Sequence, residues 1–369
     1  MDRNRINHLL TDIAEELNIP ERTLKKAISS YDALAEYINN NASFSVNVFP
    51  QGSIRLGTAI KPINEDGEYD IDLVCYVKGD VKTAAMLKNM VGDVLKNSDR
   101  YSKLLLPEGR RCWTLQYAED AHFHMDVLPA EHGDNQNDEP LTITDKENMT
   151  YSFQSSNPKG YAKWFDKKQK GGESFHTLSI EKINSVNGKS VLQKSIQLLK
   201  RHRDLMYSSK PEKEQDNKPI SIIITTIMAE LYEGNETLLS MIEKFASSWT
   251  KCFTKDAYGN FVLKNPVDSD ENFADKWIEH PERKVAFVEW IRKLEDDLAE
   301  SNFTSFTDKV KESEHLQRMF GQNIVMDAYK KHFSDDNEKS LFVSTTGSAV
   351  GITKEKTNIP VKQHTFYGK

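Results

Sequence analysis

The chain has 369 residues, which is enough for about two domains or two closely joined lobes with a sizeable core. Its 49 Lys and Arg residues against 56 Asp and Glu residues give a formal net charge of −7. Because the surface as a whole does not attract a polyanion, a protein that coats DNA or RNA is not favoured.

Neither membrane insertion nor export is indicated. No stretch approaches 18 consecutive apolar residues, and the first 30 residues lack the basic-then-apolar order of a signal peptide. The three cysteines, Cys75, Cys112 and Cys252, are far apart and odd in number, which fits neither a disulfide framework nor zinc-ligand spacing. The sequence therefore predicts a cytoplasmic protein with reduced thiols.

Two helices are predicted at the start of the chain, followed by a sheet. Apolar residues recur at helical spacing over residues 4–17, and Pro20 is a favourable first-turn residue for a second helix that runs to Ile38. Short β-branched and aromatic runs then predict strands, with one helix at 81–95 among them. The predicted strands are residues 44–49, 69–77, 111–117 and 122–128.

From residue 157 the pattern is helical again. The predicted helices are residues 158–168, 190–206, 220–232, 236–248, 282–300 and 314–333. From residue 334 onward the chain is rich in Ser, Thr, Gly and Lys with little periodicity. The predicted domains are N-terminal helices with a sheet lobe (1–155), a helical lobe (156–333) and a C-terminal tail (334–369).

The run Gln51-Gly52-Ser53-Ile-Arg-Leu-Gly57-Thr58 is the first candidate functional segment. Its glycines let backbone N–H groups approach a phosphate closely, and its hydroxyl groups add donors. The run does not match a P-loop. An ordinary Gly-Ser turn is the alternative interpretation.

Two aspartates lie on the strand predicted at 69–77. Because alternate residues of a strand share a face, Asp70 and Asp72 point the same way, roughly 6.5 Å apart at the backbone. Two adjacent carboxylates repel each other unless a cation neutralises them, and hard divalent ions do so with oxygen ligands. A solvated strand end is the alternative.

A third carboxylate, Asp126, lies on the polar face of the strand predicted at 122–128, together with His122 and His124. If the two strands are neighbours, three carboxylates converge, which is enough to bind two metal ions about 3.5 to 4 Å apart for in-line displacement at phosphorus. The two histidines are either a separate metal site or simply the solvated side of the strand.

These motifs together resemble the nucleotidyltransferase superfamily of DNA polymerase β. More narrowly, the chain is similar to the cGAS/DncV-like nucleotidyltransferases (CD-NTases) of bacterial antiphage systems, which are related to oligoadenylate synthases. The narrower resemblance covers about residues 1–330 and rests on residues 156–165, 192–204, 218–221, 265–268 and 271–273. It implies an α+β fold, in which a polymerase-β-like mixed-sheet lobe packs on a helical lobe with helices at the N terminus.

The resemblance also implies roles for matching positions. The implied ligands of Mg²⁺ or Mn²⁺ are Asp70, Asp72 and Asp126, and the implied nucleotide-binding residues are Gln51, Gly52, Ser53, Lys200 and Ser221. Residues 159–203 contain 11 Lys or Arg against 3 acids, a local basic excess that suits a triphosphate, although a lone helical lysine is more often solvated. Relatives place a base-stacking aromatic after the serine, where this chain has Ile222.

By resemblance, the activity is synthesis of a cyclic di- or trinucleotide second messenger from nucleoside triphosphates, with release of pyrophosphate, in antiphage signalling. One alternative is nucleotide transfer to RNA, a small molecule or a protein, and the acidic surface disfavours a long RNA. Another is a non-catalytic nucleotide-binding scaffold, which the presence of all three aspartates disfavours.

The resemblance further implies protein partners. In some systems a protein activates the synthase, and the tail that ends at residues 364–369 is a candidate docking segment for it. A flexible end without a partner is the alternative. No membrane partner is expected.

Overall fold

The computed structural model describes residues 3–64, 67–117, 123–131, 140–169, 188–299, 309–334, 342–344, 350–351 and 358–360. Some residues named above lie outside this set, namely His122, residues 170–187 of the basic stretch, and the end of the tail at 364–369. None of the helices within the described residues is both long and apolar enough to cross a bilayer.

The two predicted N-terminal helices are present and pack against different parts of the protein. Helix α1 (Arg3–Glu16) buries apolar residues at helical spacing in the same core as the later helices, although the domain prediction groups it with the sheet. Helix α2 (Glu21–Asn41) packs on the sheet through Leu34 and Ile38. The division of the chain into domains stays a prediction.

A six-stranded mixed sheet follows, as the sequence predicts. Its elements are β1 (Val46–Pro50), α3 (Gly52–Leu56), β2 (Tyr69–Val77), α4 (Ala84–Lys96), β3 (Trp113–Gln116), β4 (Phe123–Glu131), β5 (Leu141–Glu147) and β6 (Thr150–Ser156). The strand order is β1-β2-β4-β5-β6, with β3 also paired to β4. Strands β2 and β4 are parallel, whereas every other pair in this sheet is antiparallel.

The hairpin of β5 and β6 is absent from the sequence prediction. Its turn residues, Asn148 and Met149, have φ angles of 47° and 68°, a conformation that a glycine normally signals. In addition, no residue of β6 is fully buried, so it lacks the apolar alternation that identifies a strand.

The second half of the chain is mainly helical. Its helices are α5 (Pro158–Gln169), α6 (Val191–Ser208), α7 (Glu212–Gln215), α8 (Ser221–Leu231), α9 (Leu238–Ser248), α10 (Lys276–Glu279), α11 (Pro281–Leu298), α12 (Lys309–Phe320) and α13 (Gln322–Ser334). Its short strands are β7 (Thr254–Lys255), β8 (Phe261–Val262), β9 (Lys264–Asn265), β10 (Asp268–Asn272), β11 (Phe342–Ser344), β12 (Val350–Gly351) and β13 (Asn358–Pro360).

The single helix predicted at 314–333 is in fact two helices, α12 and α13. They are separated at Gly321, which has a φ angle of +96°, outside the range of a helix. A Cβ atom at this position would lie 3.0 Å from Nη2 of Arg201, whose Nε donates to the carbonyl of Phe320. The break therefore leaves room for an arginine from α6.

Side chains of α6 bind the backbone that follows α3. Four carbonyl oxygens of residues 56–62, here called the α6-bound segment, accept hydrogen bonds of 2.7 to 3.2 Å from one helix. The donor and acceptor pairs are Gln193 to Leu56, Gln197 to Ala59, Lys200 to Thr58 and Arg201 to Pro62. These bonds join the helical part to the segment that leads from the Gly-Ser run into β2.

Candidate active site

The three predicted aspartates lie on adjacent parallel strands. In the register of β2 and β4, Asp72 is opposite Asp126, and Asp70 is opposite His124. Ile71 and Leu73 are buried, so the aspartates occupy the other face of β2, as the alternation predicts. The structure therefore brings together the three carboxylates that the sequence places on two separate strands.

Two of these carboxylates already have partners. Oδ1 of Asp70 lies 2.5 Å from Nε2 of His124, whose Nδ1 lies 3.2 Å from Glu68. The hydrogen bond to Asp70 raises the pKa of His124 to about 9 and lowers the pKa of Asp70. Thr114 on β3 donates to Oδ1 of Asp126 over 2.5 Å. The histidine is thus bound within the acidic group rather than forming a separate site.

The charge of Asp72 is the least compensated of the three. Burial, together with the neighbouring charges of Asp70 and Asp126, raises its pKa to about 7. A group of hydrogen-bonded carboxylates with excess negative charge is the donor chemistry that hard divalent cations bind. As the side chains stand, no three acidic, histidine or cysteine groups among the described residues are grouped closely enough to ligate one ion.

The Gly-Ser run packs directly against Asp72. The backbone N–H of Gln51 donates to the carbonyl of Asp72 over 2.8 Å, which fixes the run to β2. Gly52 has a φ angle of +62°, and a Cβ atom there would lie 2.0 Å from Oδ2 of Asp72. Only glycine fits at this position, because both the backbone conformation and the contact exclude a side chain.

A cavity of about 840 Å³ contains most of the predicted site, and we call it the first cavity. Its lining includes seven of the eight predicted residues: Gly52, Ser53, Asp70, Asp72, Asp126, Lys200 and Ser221. The eighth, Gln51, lines the second cavity described below. Arg203 and Lys218 also line the first cavity, although the sequence analysis assigned them no role.

Lys200 and Ser221 lie on different helices and have defined hydrogen bonds. Lys200 is 6% exposed, and its Nζ donates to the carbonyl of Thr58 over 2.9 Å. Burial, together with the charge of the nearby Arg203, lowers its pKa to about 8. Nη1 of Arg203 donates to Oγ of Ser221 over 3.0 Å, so the hydroxyl hydrogen of Ser221 is free to donate to a ligand.

A second cavity of about 680 Å³ adjoins the first. The two cavities share one wall, formed by Gly52, Leu56, Asp72, Ile220 and Ile222. No local sequence pattern predicts this second cavity, because its lining comes from segments distant in the chain, including the sheet, α5 and β10. Of the three carboxylates, Asp72 therefore borders both cavities, whereas Asp70 and Asp126 line the first.

The geometry defines a class of protein, and comparison with known proteins agrees. Three carboxylates on two strands of a mixed sheet, beside a Gly-Ser run and facing a helical lobe, define a polymerase-β-like nucleotidyltransferase. Residues 5–169 match the Second Messenger Oligonucleotide or Dinucleotide Synthetase (SMODS) domain. A c-di-GMP synthase from Roseivirga ehrenbergii is 30% identical over 99% of this chain and 98% of its own length.

Two solved structures share the fold. The CD-NTase CdnG of Bradyrhizobium diazoefficiens, in complex with GTP, has a TM-score of 0.67 at 20% identity, covering 89% of this chain and 99% of its own. CdnC of E. coli MS115-1, in a complex with HORMA-deltaN, has a TM-score of 0.61 at 16% identity, covering 85% and 96%. The α+β fold predicted from the sequence is confirmed. The chain belongs to the CD-NTase family and is a cyclic dinucleotide synthase.

Proposed function

We propose that this chain joins two molecules of GTP into c-di-GMP, using two divalent cations bound by Asp70, Asp72 and Asp126. The observation that carries the proposal is the pairing of Asp72 with Asp126 across β2 and β4, at the wall shared by two cavities. The Roseivirga relative, a c-di-GMP synthase, supports guanine as the base. When bound, Mg²⁺ or Mn²⁺ would lower the pKa of the attacking hydroxyl and neutralise charge on the phosphates.

The chain's own residues would hold the reactants. Ser53 and the backbone at Gly52 bind the triphosphate of the donor nucleotide, while Lys200 and Ser221 donate to its terminal phosphates. Gln51 positions this run through its backbone bond to Asp72. Asp126, oriented by Thr114, lies nearest the ribose hydroxyl of the acceptor.

The reaction then consists of two similar steps. A ribose hydroxyl oxygen of one nucleotide bonds to the α-phosphorus of the other, the bond to pyrophosphate breaks, and the hydroxyl proton passes to water. The linear dinucleotide still has a triphosphate, so binding it again with that triphosphate beside Lys200 permits a second attack, which closes the ring. One site therefore suffices for both bonds.

A product assay tests this function. We expect purified protein with GTP and Mg²⁺ to yield a product with the mass of c-di-GMP that resists phosphatase, because a closed ring has no terminal phosphate. Reactions with EDTA and reactions with ATP in place of GTP are the controls. If the only products were linear chains, or label attached to added RNA or protein, a transferase that acts on another acceptor would replace this proposal.

The role of Lys200 is tested with Lys200→Met. We expect this variant to bind GTP about 1.5 to 3 kcal/mol more weakly while GMP binding hardly changes, because only the longer ligand reaches the ammonium group. Bound phosphates favour the protonated lysine, so in the wild type GTP affinity falls as the pH rises through about 8. In Lys200→Met, which lacks the titrating ammonium group, this fall in GTP affinity with pH should be absent. Calorimetry with both ligands measures these effects.

Lys194→Met is the matched control for this experiment. Lys194 lies on the same helix but pairs with Glu15 at 3.2 Å and is not among the residues that line either cavity. We expect its GTP affinity to equal that of the wild type. Equal losses for GTP and GMP in Lys200→Met would contradict contact between Lys200 and the terminal phosphates.

We also propose a cytoplasmic enzyme of antiphage signalling that a regulatory protein controls. Its cysteines are free thiols, which fits a reducing compartment. The CdnC relative was solved in complex with HORMA-deltaN, which supports a protein partner. The tail, residues 334–369, is the proposed docking segment, and most of it lies outside the described residues.

A further inference from the structure

The described lining of the second cavity is acidic. Its acidic residues are Asp72, Asp270, Glu271 and Asp275. Its two cations are already paired, Arg55 with Asp166 at 2.8 Å and Arg111 with Asp145 at 3.2 Å. A phosphate group therefore meets no unpaired cation among these residues, whereas a neutral group that donates hydrogen bonds meets favourable acceptors.

Apolar side chains form much of the remaining lining. They include Ile143, Tyr161, Ile222 and Phe273. The rings of Tyr161 and Phe273 contact each other edge to face, with centroids 5.8 Å apart. An apolar cavity with a few polar groups at its edge suits a flat, neutral ring system such as a nucleobase.

Glu271 on β10 presents a carboxylate with unused capacity to this cavity. Its Oε2 accepts from Nδ2 of Asn265 over 2.7 Å, and its Oε1 has a long contact of 3.5 Å with Oγ of Ser156, so lone pairs of Oε1 are left for a ligand even with the backbone of Asn157 bonded to the carboxylate. Burial and the charge of Asp268 raise the pKa of Glu271, although the backbone of Asn157 favours its charged form. No Lys or Arg in the described part of the chain forms an ion pair with it. A ligand that donates to this carboxylate would therefore be stabilised.

Given a synthase that takes GTP, as proposed above, we propose that Glu271 recognises guanine in the second cavity by accepting hydrogen bonds from N1–H and the 2-amino group. These two donors are adjacent on guanine and match the two lone-pair directions of a carboxylate. Adenine presents only one amino group on that edge, beside a ring nitrogen whose lone pair repels the carboxylate. Glu271 thus determines which base enters.

Nucleoside monophosphates test this assignment without turnover, because they contain no pyrophosphate to release. We expect the wild-type full-length chain to bind GMP about ten- to a hundredfold more tightly than IMP, which lacks the 2-amino group, and to discriminate at least as strongly against AMP. In Glu271→Gln the preference for GMP over IMP falls by about tenfold or more. Calorimetry gives each affinity directly.

Glu279→Gln is the matched control, since it makes the same change at an exposed glutamate that pairs with Lys276 and lines neither cavity. Its preference for GMP should equal that of the wild type. The assignment is wrong if wild-type protein binds GMP and IMP equally, a result that needs no variant to fold. It is also wrong if Glu271→Gln weakens both ligands by the same factor, as a structural role would.

The same variant has a consequence for the product. With equal concentrations of GTP and ATP, Glu271→Gln should incorporate adenine about tenfold more often than the wild type, as measured by mass spectrometry of the dinucleotides. Absence of any cyclic product from wild-type protein would overturn the proposed function. The monophosphate affinities would still decide whether Glu271 recognises guanine.

Discussion

Replacing Asp72 by Asn should abolish synthesis of the cyclic product while the fold is retained. Asp72 is opposite Asp126 and is the member of the three carboxylates that lines both cavities. An amide is a poorer ligand for a hard cation than a carboxylate, and we expect a loss of about a thousandfold or more in kcat. Pyrophosphate release at saturating Mg²⁺ measures this loss.

The same substitution should stabilise the metal-free protein. The pKa of Asp72 is about 7 in the folded chain, against 3.8 for the unperturbed carboxyl. Between about pH 4 and 7, Asp72 is ionised in the unfolded chain but still protonated in the folded chain. The free energy of unfolding of the wild type therefore falls as the pH rises from about 4 to 7, and it stays lowered above pH 7. In EDTA at pH 8 we expect Asp72→Asn to gain about 2 kcal/mol, a gain that shrinks towards pH 4.

A control variant and a Mg²⁺ titration show whether the effects of Asp72→Asn are specific to this carboxylate. Asp80→Asn removes a carboxylate whose partner is the exposed Lys82, and it should change neither turnover nor stability measurably. Added Mg²⁺ should raise the melting temperature of the wild type more than that of Asp72→Asn. Near-normal turnover in Asp72→Asn would contradict the proposed metal site.

Among substitutions that add a single methyl group to the site, we expect Gly52→Ala to be the most damaging. The added Cβ would lie 2.0 Å from Oδ2 and 2.8 Å from Cγ of Asp72, so either the carboxylate or the Gly-Ser run must move. The φ angle of +62° adds backbone strain of about 1 kcal/mol. We expect turnover to fall by about a hundredfold or more, because a misplacement of about 1 Å has effects on that scale.

The variant Gly259→Ala shows whether backbone strain or the contact with Asp72 causes the loss of turnover. Gly259 also has a positive φ angle, +83°, but no atom lies within 4 Å of a Cβ placed there. The substitution Gly259→Ala should therefore lower the melting temperature modestly and leave turnover unchanged. Thermal melts and initial rates on both variants measure the difference, and an equal loss of activity in both would show that contact with Asp72 is not the cause.

Local patterns were sufficient to predict most of the sheet and the shared face of the aspartates. Alternation in β2 placed Asp70 and Asp72 opposite the buried Ile71 and Leu73, and the same pattern placed Asp126 on the polar face of β4. Which strands pair, however, depends on contacts distant in sequence. From the sequence, the convergence of the three carboxylates therefore depended on the assumption that β2 and β4 are neighbours. In the structure the two strands are paired.

Other features had no local signal. The break at Gly321 depends on Arg201, more than a hundred residues earlier, which occupies the space beside it. The partner of His124, Asp70, is fixed by strand register, so the sequence could equally place the imidazole on a solvated face. Glu271 is part of a segment that contributed to the family resemblance, but only the assembled cavity shows that its carboxylate faces a ligand space.

The α6-bound segment limits how the cleft can open. Four carbonyls of residues 56–62 accept hydrogen bonds from one helix, and the backbone N–H of Lys61 also donates to Leu17 at the end of the first helical region. Separation of the sheet lobe from the helical lobe would break these hydrogen bonds together and expose buried amides and cations, which would require a free energy of several kcal/mol. We therefore expect the width of the cleft to change little during turnover. In the proposed two-step reaction the linear intermediate would then leave and return in the opposite orientation, so the yield of closed rings would depend on how its escape competes with recapture.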